Sequence, residues 1–125
     1  MTLTLPLRLV SEANAHEHWR VRQRRAKAQR DLLMVRLRHL VAPTGPVEVQ
    51  IVRIAPRSLD TDNLPGSCKH VRDVVAWWLA GSPRVDGAIR WGRHDDDPRI
   101  PWRYAQERGA PREYAVRVEV VDDRP

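Results

Sequence analysis

Two aspartates, Asp60 and Asp62, stand two positions apart shortly after an alternating apolar stretch runs out at Ala55. An extended backbone there puts both carboxylates on one side of the chain. A second acidic group, Asp95-Asp96-Asp97, precedes Pro98-Arg99-Ile100. Carboxylates crowded together repel one another unless a cation neutralises them, and an all-oxygen donor set favours Mg²⁺, with Mn²⁺ the alternative. An ion held in this way can activate water and stabilise charge on a phosphodiester. The plainer alternatives are structural. Asp and Asn are common in turns and at helix caps for local hydrogen-bonding reasons, and Asp95–Asp97 also fits a solvated loop.

Lys69 lies on the helix expected after Asp60 and Asp62, next to Cys68 and two positions from Val71 on that helix's apolar stripe. A lysine over a metal site would offset phosphate charge in a transition state. Asp73, four residues on, is placed to pair with it, and an ordinary exposed helix lysine is the alternative. Other groups carry less. His16 and His18 have no Cys or close carboxylate to complete a zinc site. His39, His70 and His94 belong to no evident constellation. Cys68 has no nucleophile motif around it and fits a helix core position. No phosphate-cradling glycine loop is present in the sequence.

Charge is unevenly spread. The net charge is +6. From Arg20 to Leu40 eight basic residues (Arg20, Arg22, Arg24, Arg25, Lys27, Arg30, Arg36, Arg38) face only Asp31, a net +7, so the rest of the chain sums to −1. One segment therefore carries the excess, which suits a polyanionic partner; a solvated helix face is the competing reading. The single cysteine excludes an intramolecular disulfide and points to a reducing compartment. No apolar run approaches the roughly 20 residues of a membrane span, and the N-terminus lacks the form of a signal peptide. A cytoplasmic protein is the expectation.

The elements that must position these groups follow from periodicity. The 125 residues suit one domain. Leu3, Leu5, Leu7 and Leu9 alternate with polar or Pro positions, a half-buried strand with an edge or bulge at Pro6. Residues 11–40 contain no Pro or Gly; Ser11 and Asn14 are candidate N-caps, and Leu33, Leu37 and Leu40 recur at helical spacing. Val47, Val49 and Ile51 begin a second strand reaching about Ala55. Asp62 or Asn63 can cap the next helix, with Pro65 in its first turn and Leu64, Cys68, Val71, Val75 and Trp78 as its buried stripe. Residues 82–98 read as a loop with a short strand at 88–91. Ile100, Trp102 and Tyr104 form a third main strand, and Tyr114, Val116, Val118 and Val120 a fourth, expected to pair with the third. The tail from Asp122 should fray. This order predicts an α+β domain, a mixed sheet of about four strands with two main helices, over residues 1–121.

Leu59-Asp60-Thr61-Asp62-Asn63-Leu64, then Lys69 with Asp73 four residues on, then Asp96-Asp97 a loop later, resemble the pattern of the RusA family of Holliday-junction resolvases. The resemblance follows the order of elements over most of the chain and is specific from about Leu59 to Asp73. It implies a homodimeric, Mg²⁺-dependent endonuclease, often phage-borne, that cuts four-way DNA junctions. Carried over by position, Asp60, Asp62 and Asp97 would bind the metal, with Asp96 beside them, and Lys69 would be the catalytic lysine. Pro65-Gly66-Ser67 is extra relative to the family, and a long stretch from Gly81 to His94 leaves Asp86, Asp95, Asp96 and Asp97 as rivals for the third acid. Arg20, Arg22, Arg24, Arg25, Lys27 and Arg30 would hold DNA phosphates, which carry affinity but little sequence information. Trp77 or Trp91 could stack on exposed bases, against core or dimer packing as the commoner use of a Trp. The competing classes are a non-catalytic nucleic-acid-binding module, a nuclease for flaps or RNA, and a subunit whose basic helix meets an acidic protein.

Overall fold

A computed structural model of the chain describes residues 1–11, 18–43, 46–80 and 100–122. The described elements are β1 (Thr2–Leu5), α1 (Trp19–Leu37), β2 (Val47–Ala55), α2 (Leu64–Ser67), α3 (Lys69–Ala80), β3 (Trp102–Arg108) and β4 (Ala115–Asp122). The fold is α+β, as the periodicities predict: one four-stranded mixed sheet in the order β1-β4-β2-β3, with α1 and α3 as its two main helices.

Register decides which side chains meet. β2 runs parallel to β3, pairing Val49 with Trp102, Ile51 with Tyr104 and Arg53 with Gln106. β4 is antiparallel to β2, pairing Val49 with Val120 and Ile51 with Val118, and antiparallel to β1, pairing Leu5 with Val116. Directly opposed residues share a face, so the buried set Leu5, Val49, Ile51, Val116, Val118 and Val120 lines one side of the sheet. Leu33 and Leu37 of α1 and Val71, Val75 and Leu79 of α3, all 0–1% exposed, complete the core. The five-residue stripe expected on the second helix, Leu64, Cys68, Val71, Val75 and Trp78, is buried throughout.

Five expectations are corrected. β4 does not pair with β3. A short turn between them would have made a hairpin, but β4 inserts between β1 and β2 and leaves β3 at the sheet edge. β1 stops at Leu5, where the Leu7 N–H turns back to the Leu5 carbonyl (2.8 Å) around Pro6; Leu7 and Leu9 are buried without being in a strand. α1 begins at Trp19, beyond both Ser11 and Asn14, and is capped by His18, whose Nδ1 accepts from the Arg20 N–H at 3.2 Å. The helix after Asp62 is broken at Cys68 into α2 and α3, and Asn63 at its start makes no side-chain cap bond. Of the tail expected to fray, Asp122 instead pairs with Val47 at the end of β4, and residues 123–125 lie outside the described residues. The strand expected at 88–91 lies outside the described residues.

Candidate functional site

The acidic loop is built from β2 outward. β2 alternates inward at Val47, Val49 and Ile51, and the next inward position is Arg53, 7% exposed. A buried guanidinium needs partners. Arg53 donates through Nε to the Leu9 carbonyl (3.0 Å) and through Nη1 to the Arg57 carbonyl (2.7 Å) and Gln106 Oε1 (3.4 Å). All three acceptors are neutral. Burial lowers the Arg53 pKa, with Arg8 acting in the same direction and Cys68 and Tyr114 opposing. The cation thus ties together the segment after β1, the loop after β2 and the strand β3.

Gln106 completes the clamp. Its Oε1 accepts from the Leu59 N–H and its Nε2 donates to the Leu59 carbonyl, both at 2.8 Å. One amide side chain so satisfies both backbone groups of the residue immediately before Asp60. The turn then closes on Asp60 itself, whose carbonyl accepts from the N–H groups of Asn63 (3.0 Å) and Leu64 (3.2 Å). Asp60 and Asp62 are both exposed on this pinned turn. Their carboxylates offer hard oxygen donors suited to Mg²⁺ or Mn²⁺. Asp86, Asp95, Asp96 and Asp97, the rivals for a third acid, lie outside the described residues. Among the described residues no three His, Cys, Asp or Glu side chains gather in a metal-binding group.

The cationic side is built from two helices. α1 buries Ala26, Gln29, Leu33 and Leu37 at spacings of three and four and packs on α3. That leaves Arg20, Arg22, Arg24, Lys27 and Arg30 exposed, with Arg25 half-buried. Between α1 and α3 runs an open groove of about 540 Å³, with Arg22, Lys27 and Arg30 on one side, Lys69 and His70 on the other, and Ala26 in its floor. Lys69 is exposed and forms no ion pair with Asp73, contrary to the i, i+4 expectation. The structure therefore groups Lys69 with three of the six basic residues expected to hold phosphates; Arg20, Arg24 and Arg25 lie elsewhere on α1. Arg20 instead lies over the Trp19 ring, 5.3 Å from its centroid. Trp77 is 42% exposed on α3, and Trp91 and His16 fall outside the described residues.

Three contributors escaped the sequence reading. Arg53 could have been found, since an arginine in the inward phase of an otherwise apolar strand has to be held by something. Gln106 gave no signal, because its role depends on β2 and β3 being parallel neighbours. Arg72 on α3 donates to the Tyr104 hydroxyl (2.6 Å) and covers the Trp102 ring at 4.8 Å, fixing α3 over the first half of β3. Cys68 is fully buried, and burial raises its pKa to about 11, against the opposing effects of the Ser67 hydrogen bond and Arg53. That is the environment of a packed thiol, not of a nucleophile.

No helix among the described residues is long and apolar enough to cross a membrane. The chain matches no protein-family model and no curated protein at a significant level.

Proposed function

We propose that the chain is a Mg²⁺-dependent endodeoxyribonuclease of the RusA type, acting on four-way DNA junctions as a homodimer. The observation that carries this reading is the pairing of two surfaces: Asp60 and Asp62 exposed on a turn pinned by Gln106, and Lys69 in a groove lined by Arg22, Lys27 and Arg30. The order Asp-x-Asp-Asn-Leu, helix lysine and later acid supports the same assignment.

In this reading Asp60 and Asp62 hold the cation, with Asp97 or one of its rivals as a third acid. The bound ion would supply an activated water and neutralise charge on the phosphodiester. Lys69 stabilises the charge that develops on phosphate. The α1 cations hold the backbone of the DNA and set its register on the protein.

The test is cutting of a four-way junction, a flap, a duplex and an RNA hairpin, each with Mg²⁺ and with EDTA. Junction-selective, Mg²⁺-dependent cutting is expected. Asp62→Asn should abolish cutting and leave junction binding intact or tighter, and an Asp62→Asn protein that cuts at the wild-type rate refutes the assignment. A second reading, a nucleic-acid-binding module without catalysis, is favoured by the groove alone, which needs none of the acids. It predicts salt-dependent binding with no nicking under any condition.

A further inference from the structure

The groove between α1 and α3 has a feature that charge counting does not reveal. Trp19, Gln23, Ala26 and Arg30 fall at i, i+4, i+7 and i+11, a single stripe of α1. Three of these four line or floor the groove, and Trp19 continues their line at the helix start. Trp19 is 56% exposed, tilted against His18 and with the Arg20 guanidinium over its ring, a cation that a stacking base would displace or join. A large aromatic left in water at the end of a basic groove is the arrangement that holds unpaired nucleic acid: cations follow the backbone while a ring stacks on a base.

Size points to one strand rather than two. The groove volume, about 540 Å³, is that of a small-molecule cleft. From Arg22 to Arg30 the helix rises about 12 Å, which at about 3.4 Å per nucleotide spans three to four nucleotides of one strand. Arg22, Lys27 and Arg30 follow one another along that length, and Lys27, ion-paired with exposed Asp31, would exchange that carboxylate for a phosphate.

We infer that this groove binds the phosphate backbone of a single, unpaired DNA strand, with Trp19 stacking on a base at its end. This deepens the nucleic-acid half of the proposed function and rests on it. At a junction or flap, the groove would take the strand where pairing is interrupted.

The experiment uses the full chain in EDTA, so that nothing is cut, and a fluorescein-labelled oligothymidylate, the matching duplex and polyglutamate as probes, over about 50 to 200 mM salt. The oligothymidylate should bind more tightly than either other probe. Lys27→Gln with Arg30→Gln should flatten the slope of log affinity against log salt by about 1.4, at about 0.7 per single-strand phosphate contact. Trp19→Ala should weaken binding about 5- to 150-fold with the slope unchanged. All three positions are exposed, so the variants keep the fold. Equal binding of polyglutamate, a preference for duplex, an unmoved slope in the double variant or an unaltered affinity in Trp19→Ala would each overturn the inference. Failure of the nuclease reading looks different: binding behaves as described and Mg²⁺-dependent cutting is absent.

Discussion

Replacing Gln106 by Leu keeps side-chain bulk at the position but removes the clamp on the acidic loop. Two hydrogen bonds to Leu59, both at 2.8 Å, disappear, together with a longer one from Arg53 at 3.4 Å. Each good bond contributes a net of about 0.5–1.5 kcal/mol, and a buried partner left unsatisfied costs more. Leu59 is only half-buried, so water can take over part of the loss. The expected destabilisation is about 2 kcal/mol, which for a domain of this size lowers Tm by about 6–12 °C. Gln106→Glu separates the parts: the carboxylate still accepts from the Leu59 N–H and attracts the Arg53 guanidinium, but cannot donate to the Leu59 carbonyl. Its loss should be about half as large. Thermal unfolding followed by circular dichroism measures both, and junction binding and cutting are then compared well below the lower Tm. Cutting should fall while binding holds, because the clamp orients Asp60 and Asp62 and touches none of the groove residues. A Tm shift under about 2 °C for Gln106→Leu would show that the clamp carries no energy. Equal loss of binding and cutting would show that it does not act on the acidic loop in particular.

Three further outcomes follow from burial. Cys68, its pKa raised from 9.0 to about 11, should resist alkylation in the native protein at pH 8 and react once the chain is unfolded. Because the folded form holds the proton more tightly than the unfolded one, the associated stability is complete below about pH 9 and is lost as pH rises toward 11; urea unfolding across that range should show the fall, and Cys68→Val should lack it. Leu33→Ala, on α1 at a core site with 0% exposure, should cost about 2–5 kcal/mol by urea unfolding, and a value near zero would mean that α1 is not held by this side chain.

The strand interiors were legible because their signal is local. Val47-Val49-Ile51 and Val116-Val118-Val120 alternate in the sequence and face the core in the structure. The stripe from Leu64 to Trp78 was equally plain, although the break at Cys68 was not, since it changes no apolar position. Strand order was the failure. Proximity in sequence favoured a β3–β4 hairpin, whereas burying β2 between two neighbours required β4 to cross to its far side. The acids of the loop were visible as residue types, but what holds them depends on a parallel pairing that no local pattern encodes. The groove was half visible. Net charge singled out α1, and only the packing of α1 on α3 brought Lys69 to it.

The two charged surfaces are held by separate means, and this has a functional consequence. The acidic turn is fixed by side chains of the sheet, Arg53 and Gln106, acting on loop backbone. The cations are fixed by helix packing through Leu33, Leu37, Val71 and Val75. Lys69 stands six residues after Asn63, at the head of α3, and is the side chain that connects them along the chain. Under the proposed function, changes in salt act on the groove, because its phosphate contacts would release counterions. On the same reading, metal removal acts on the turn, whose carboxylates would hold the ion. Binding and cutting should therefore vary independently except at Lys69, where Lys69→Ala lowers both: the salt slope by about one contact and the cutting rate beyond what the weaker binding explains. A Lys69→Ala protein with unchanged cutting at saturating DNA would confine that lysine to the groove and leave the acidic turn to act without it.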